Sequence, residues 1–219
     1  HDLLTREGHA VNHKRVWRLY RANDLAVRRR RKNKRVKNER MPLAQPMTTN
    51  QVWSLDFVMD ALANGRRIKC LTIVDDFSRE CVDIASDHGM GGEYVARLLE
   101  RAAQFRGRPA AVRTDQGPEF TSRAFMGWAH ANGVQHLLND AGSPTQNAYI
   151  ESFNGKFRDE CLNEQWFESL AQARQEIARW RRDYNEVRPH SAIGRMPPAQ
   201  FAAAHRRLAG DAQHQPEIK

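Results

Sequence analysis

Val52-Trp53-Ser54-Leu55-Asp56-Phe57-Val58 is an apolar, aromatic-rich run with one carboxylate inside it. That composition predicts a buried strand, and a carboxylate inside it is costly unless a cation compensates. Two further acidic residues have comparable settings. Asp115 follows the apolar run Ala110-Ala-Val-Arg-Thr and precedes Gln116-Gly117-Pro118, a strand and then a turn, where open α/β sheets collect ligands. Glu151 lies on a predicted helix, because Tyr149, Ile150, Phe153 and Phe157 recur at helical spacing and Asn147 is placed to cap it. Fifty-eight residues separate the two aspartates and thirty-five separate Asp115 from Glu151, so only tertiary folding can unite them. Any one of the three alone reads as a turn or cap residue. Together they suit a hard divalent cation, which takes oxygen ligands.

Outward from that strand, Arg67 to Val74 and Cys81 to Ala85 read as two more, joined by tight connections at Asn64-Gly65 and Phe77-Ser78-Arg79. Glu93 to Arg106 reads as a helix with Val95, Leu98, Leu99 and Ala102 inward, ended by Gly107-Arg-Pro. Ala110 to Thr114 and Val134 to Leu138 complete five strands around a helix near Ser122 to Ala131, and the polar, Gly- and Pro-bearing Asn139 to Gln146 reads as a loop. A long helix starts after Ser169, which forms a capping box with Gln172, and Pro189 ends it; Pro198 opens a final helix, with a flexible tail from 206 to 219. An antiparallel meander followed by helix-linked parallel strands predicts an α/β fold, a mixed five-stranded sheet flanked by helices.

The net charge of +9 over 219 residues is unevenly placed: Arg28 to Arg40 holds nine Lys or Arg against one Glu. A run this dense cannot enter a core, and its natural partner is a polyanion, although a solubilising linker would look the same. Before it, Asn12 is placed to cap a short helix bearing Val16, Leu19 and Tyr20. His9 and His13 have the spacing of two metal ligands on a helix, but no Cys-x-x-Cys accompanies them and they read as a polar face. Three widely spaced cysteines, Cys70, Cys81 and Cys161, suit buried or free thiols in a reducing compartment. No apolar run reaches membrane-spanning length, and no secretory signal pattern opens the chain.

The acidic contexts, together with Val74-Asp-Asp-Phe-Ser-Arg-Glu, Asp115-Gln-Gly-Pro-Glu-Phe-Thr-Ser, Pro144-Thr-Gln-Asn-Ala-Tyr-Ile-Glu-Ser-Phe-Asn-Gly, Arg158-Asp-Glu-Cys-Leu-Asn-Glu and Tyr184-Asn-Glu-Val-Arg-Pro-His, resemble the DDE core of retroviral integrases and insertion-sequence transposases. They are most similar to the second-reading-frame transposase of the IS-three type, from about Val11 to Phe201. The resemblance implies an RNase H-like fold in a catalytic core over 50–205, preceded by a partial helix-turn-helix-like segment at 1–27 and a basic arm and linker at 28–49. The chain opens on His1 and reads as a fragment whose earlier DNA-binding helices lie upstream.

The resemblance also implies metal-dependent cleavage of element ends and 3′-hydroxyl strand transfer. Asp56, Asp115 and Glu151 would act as catalytic and metal-ligating residues for two magnesium ions, with manganese substituting. Asp75, Asp76 and Glu119 read as supporting residues. Candidate DNA contacts are Arg28, Arg29, Arg30, Arg31, Lys32, Lys34, Arg35 and Lys37 in the arm, Gln146 and Asn147 on the loop, and Asn154, Lys156 and Arg158 on the Glu151 helix. The long helix reads first as packing on the core, with the Arg179-Arg181-Arg182 face and Arg188-Pro-His as further candidate contacts. Expected partners are terminal-repeat and target DNA, further copies of the chain on DNA, and an upstream-frame helix-turn-helix protein. The expected setting is the bacterial cytoplasm at the nucleoid. An RNase H-like nuclease without strand transfer and an inactive DNA-binding remnant share many of these features.

Overall fold

Val52–Ala61 forms β1, the central strand of a five-stranded sheet ordered β3-β2-β1-β4-β5. The computed structural model describes residues 1–25, 45–139 and 148–213, with side chains through 206. β1 pairs antiparallel with β2 (Arg67–Asp75), and β2 with β3 (Cys81–Asp87). On its other edge β1 runs parallel to β4 (Ala111–Thr114), itself parallel to β5 (Gln135–Leu138).

The strand period of two sorts side chains onto two cores. Trp53, Leu55, Leu71 and Ile73 pack with Val95, Leu99, Phe125 and Ala129 from helices α3 (Gly92–Arg106) and α4 (Arg123–Ala131). Val58, Cys70 and Val74 point to the other face, where Ile150, Phe153 and Phe157 of α5 (Ala148–Phe157) and Ala173, Ile177 and Tyr184 of α6 (Leu170–Glu186) cover them. The sheet is therefore buried on both sides, as strands with few polar positions require. All three cysteines are buried free thiols.

Local chemistry sets several boundaries. Gly65 turns the β1–β2 hairpin at φ 80°, and Gly107 follows α3 at φ 82°, a region that favours glycine. Ser169 caps α6 by accepting from the Gln172 N–H at 3.2 Å, and the Gln172 side chain reaches back to the Glu168 N–H at 2.7 Å. The reciprocal arm of the capping box thus lands one residue before the cap. α5 runs on into a single π turn, Arg158–Leu162, and α7 (Pro198–Gln213) packs against α6.

Three elements differ from the sequence expectation. β1 runs three residues beyond Val58 and β3 two beyond Ala85, because ladder pairing continues through polar positions: Met59 opposite Lys69, Ala61 opposite Arg67 and Lys69 opposite Asp87. Backbone pairing needs no apolar side chain on the open ends of a hairpin. α7 continues to Gln213 instead of giving way to a tail at 206; its Ala-rich composition favours helix.

The chain divides into two compact units, His1–Met41 and Pro42–Lys219. In the first, α1 (Asp2–Arg6) and α2 (His13–Ala22) bury no residue, and Asn12 caps α2 by accepting from the Lys14 N–H at 2.9 Å. His9 and His13 are exposed. Among the described residues no helix is long and apolar enough to cross a membrane.

Candidate active site on the α5 face of the sheet

Asp56 has the parity of Val58, so its side chain leaves β1 on the face covered by α5. Thr72 stands directly opposite it on β2. Asn154, on α5, closes the arrangement: its Nδ2 donates to Asp56 Oδ2 at 2.8 Å, and its Oδ1 accepts from the Thr72 hydroxyl at 2.9 Å. The Thr72 hydroxyl also lies 3.1 Å from the Asp56 carbonyl, and the Phe57 N–H donates to Asp56 Oδ1 at 2.7 Å. Both carboxylate oxygens are thus held by neutral donors. Burial pushes the Asp56 carboxyl above its usual range; the Phe57 N–H opposes this, Asp115 adds to it, Asn154 opposes it and Glu151 adds to it.

Asp115 sits just past the end of β4 with its Oδ1 accepting from the Gly117 N–H at 3.0 Å, the first bond of the turn read from Gln116-Gly117-Pro118. Ser54 pairs with Arg113 in the parallel β1–β4 ladder. Two residues on along each strand, Asp56 and Asp115 are therefore level. Glu151 lies in the first turn of α5 and is exposed. It stands three residues before Asn154, on the same side of the helix. The fold thus draws the three acids to the middle of β1, beside the C-terminal end of β4, near enough for Asp115 and Glu151 both to act on Asp56. Among the described residues, no three acidic, His or Cys side chains form a closed ligand set. Mutual repulsion of three carboxylates opposes closure. The donor set fits a hard divalent cation: the ligands are oxygens, and the direct partners of Asp56 are uncharged.

Neighbouring acids are structural. Asp75 Oδ1 accepts from the Phe77 and Ser78 N–H groups at 3.0 and 2.8 Å, shaping the β2–β3 turn, and its Oδ2 accepts from the Asn50 N–H at 2.6 Å. Asp76 is fully buried against Arg113; burial pushes its carboxyl up to about 6, against the pull of Arg113. Glu119 pairs with Lys69, whose Nζ lies 3.8 Å over the Phe57 ring on the opposite face of the sheet from Asp56.

Of the candidate DNA contacts, the arm residues and Gln146 and Asn147 lie outside the described residues, as does the cap expected of Asn147. Asn154 is turned inward onto Asp56 and Thr72. Arg158, at the start of the π turn, donates to the Met59 carbonyl at 3.1 Å. Burial, then Arg188 and Arg79, holds the half-buried Lys156 below its usual range. On α6, Arg181 bonds the Val82 carbonyl at 2.6 Å and Asp83 at 3.2 Å, and Arg188 pairs with Glu160. These two arginines fasten α6 and its end to the core. Sequence reasoning does not reach Thr72, because the register that places it beside Asp56 is a property of the hairpin.

Two integrase core domain models match residues 47–144 and 132–198, and an HTH-like domain model matches 1–33. The chain is 67% identical over 209 residues to the 31.7 kDa protein of insertion element IS407 from Burkholderia multivorans, covering 95% of this chain and 76% of the relative. It is 66% identical over 206 residues to the 39.2 kDa protein of insertion element IS476 from Xanthomonas euvesicatoria, of which it spans 60%. The transposase of insertion sequence IS904 from Lactococcus lactis is 29% identical over 212 residues, 91% of this chain and 83% of that one. Among solved structures, the simian T-cell lymphotropic virus intasome in complex with PP2A regulatory subunit B56 gamma aligns with a TM-score of 0.67 at 16% identity, covering 85% of this chain and 62% of that one. The HTLV-2 integrase catalytic core in complex with magnesium aligns with a TM-score of 0.55 at 18% identity, covering 71% and 98%. At these identities the structural likeness is one of fold, the RNase H-like fold of integrase cores. With two consecutive integrase core matches, and two-thirds identity to an insertion-element protein of which it spans three quarters, the chain belongs to the insertion-element transposases that carry a retroviral-integrase-type core.

Proposed function

We propose that the chain cuts the ends of its insertion element and joins the freed 3′-hydroxyl to target DNA, with Asp56, Asp115 and Glu151 holding two magnesium ions for which manganese substitutes. The observation that carries this reading is the placement of Asp56: a half-buried carboxylate level with Asp115 and on the Glu151 side of α5, whose partners among the described residues are uncharged, and whose carboxyl burial, Asp115 and Glu151 all raise. When bound, two such ions supply the charge that stabilises the attacking and leaving oxygens of an in-line displacement. The HTLV-2 core in complex with magnesium supports the choice of ion.

The chain's own residues do the positioning. Asp56 is fixed from below by the sheet and from above by Asn154. Glu151 rides on α5, so movement of that helix carries it toward or away from Asp56 and Asp115. The basic residues of 28–40 supply phosphate contacts, and 1–27 completes a helix-turn-helix-like DNA-binding segment, which the HTH-like match supports. Assembly of several copies on DNA is supported by the intasome likeness. An upstream-frame helix-turn-helix protein, fused or separate, is the further partner proposed, and the bacterial nucleoid the proposed setting.

A strand-cleavage and joining assay with magnesium, on duplexes carrying the element's terminal repeats, tests the reading. Asp56→Asn, Asp115→Asn and Glu151→Gln should each lower turnover below about one hundredth while DNA affinity stays within a few-fold, since the phosphate contacts survive. Cleavage without joining by the wild type would assign a nuclease instead.

A further inference from the structure

On the flank of α5 turned away from Glu151, a pocket of about 180 Å³ opens between that helix, the β2–β3 turn and the segment after α6. Tyr149, Ser152, Phe153 and Lys156 line it at helical spacing, whereas Glu151 and Asn154 share the other side. The pocket is smaller than the ~300 Å³ at which sites for organic ligands begin. No carboxylate is among the described residues that line it.

Two of its polar atoms are orphaned. His190 is 6% exposed, and its Nε2 has no hydrogen-bond partner among the described residues. Arg79 Nη1 is likewise buried without a partner, while the guanidinium lies 3.6 Å over the Tyr149 ring. A buried guanidinium N–H without an acceptor is costly and rare, and marks a group placed for something else. Lys156 adds a second cation; Arg188 stands nearby with its charge answered by Glu160. Burial, then Lys156 and Arg188, with Arg79 also contributing, pushes the His190 ring down to about 4. His190 Nε2 is thus a buried ring nitrogen left for a ligand to satisfy.

We infer that this pocket seats one phosphate group of the DNA strand engaged at the acidic site, with Arg79 and Lys156 as charged donors, the Ser152 and Ser191 hydroxyls as neutral ones, and His190 as its closed end. Charge-assisted donors converging on a small concavity are the recognition chemistry of phosphate. Glu151 and Ser152 are consecutive on α5, so a strand that meets the acids on one side of the helix reaches the pocket by passing its N-terminal end. Entry of the anion offsets Arg79, Lys156 and Arg188 and lets His190 take up a proton, which Nε2 then donates. The assignment to DNA rests on the proposed function; the anion site itself does not.

The test uses the full chain, inorganic phosphate and a short duplex as probes, with the His190 ring resonance and the salt dependence of duplex affinity as readouts. Phosphate should shift the His190 resonance and raise the pH at which it titrates in wild type but not in Arg79→Gln, and the duplex should displace it. Arg79→Gln and Lys156→Gln should each lower the log-log salt slope by about 0.9, the value for one lost phosphate contact. Arg101→Gln, whose partner is Asp83 outside the pocket, serves as the surface control. If either pocket variant melts as wild type and keeps the full slope, the proposal fails. Phosphate that binds but is not displaced by duplex also overturns it, leaving a free-anion site. Should Arg79→Gln fail to fold, Lys156→Gln carries the measurement. The metal reading fails separately, by a wild-type thermal midpoint that ignores magnesium while these anion results stand.

Discussion

Replacing Asn154 with Leu isolates the contact that ties α5 to the central strand. Asn154→Leu removes a hydrogen bond to a carboxylate, of a kind contributing about 1.5–3 kcal/mol when buried. Asn154 is half-buried and Leu adds apolar contact, so a net loss of about 1–2 kcal/mol is expected. Thr72 is not orphaned, because the Asp56 carbonyl remains 3.1 Å from its hydroxyl. In a unit of this size each kcal/mol moves the thermal midpoint by about 2–4 °C, so a fall of roughly 2–8 °C is expected at pH 7 in chelator. The pH dependence supplies the decisive sign. Burial raises Asp56 above its ordinary 3.8 in the folded state, so the fold loses stability from this group as pH rises from 3.8 through the folded value. Asn154 limits that loss by favouring the ionised form. The deficit of Asn154→Leu should therefore be full above the folded pKa of Asp56 and shrink as pH falls through it. Scanning fluorimetry from pH 3.5 to 8 reads this, and an equal deficit at every pH, or none, refutes the reasoning. A salt slope for duplex binding lowered by about 0.9 would make Asn154 a phosphate contact and not a positioning residue.

Asp56→Asn should raise the midpoint in chelator and lose most of the upward shift that magnesium gives wild type, because it removes a partly desolvated charge pressed by Asp115 and Glu151. The Asn154 amide can turn over to accept from the new side chain while donating to Thr72; a variant that melts lower in chelator yet responds fully to magnesium would make Asp56 a structural acceptor. Deleting 28–40 should flatten the salt dependence of duplex binding by about 0.9 per lost contact, and an unchanged slope would make the arm a spacer. Asp76→Asn strands a buried Arg113 and should cost about 3–5 kcal/mol in urea unfolding, with a loss under about 1 kcal/mol showing that the pair is hydrated in solution.

Local chemistry alone determined much of this protein: the hairpin turns at Gly65 and Arg79, the caps at Asn12 and Ser169, the start of α7 at Pro198 and the inward face of α3 are each written in a few neighbouring residues. The three acids stood out as candidates only together, Asp56 within an apolar strand, Asp115 past a strand end and Glu151 on a helix, since any one alone reads as a turn or cap residue. What only the tertiary structure decided is who meets whom. The Asp56–Thr72 register, the clasp of Asn154 across ninety-eight residues, and the pocket of Arg79, Lys156 and His190 join segments whose separation in sequence carries no record of their distance in space. Asn154 shows the difference most plainly: its helical position beside Glu151 made it a candidate DNA contact, and only the packing of α5 on β1 and β2 joins it to Asp56 and Thr72. Side-chain direction on an amphipathic helix is settled by the surface it lands on, and that surface is made by strands the helix has not yet met in the sequence.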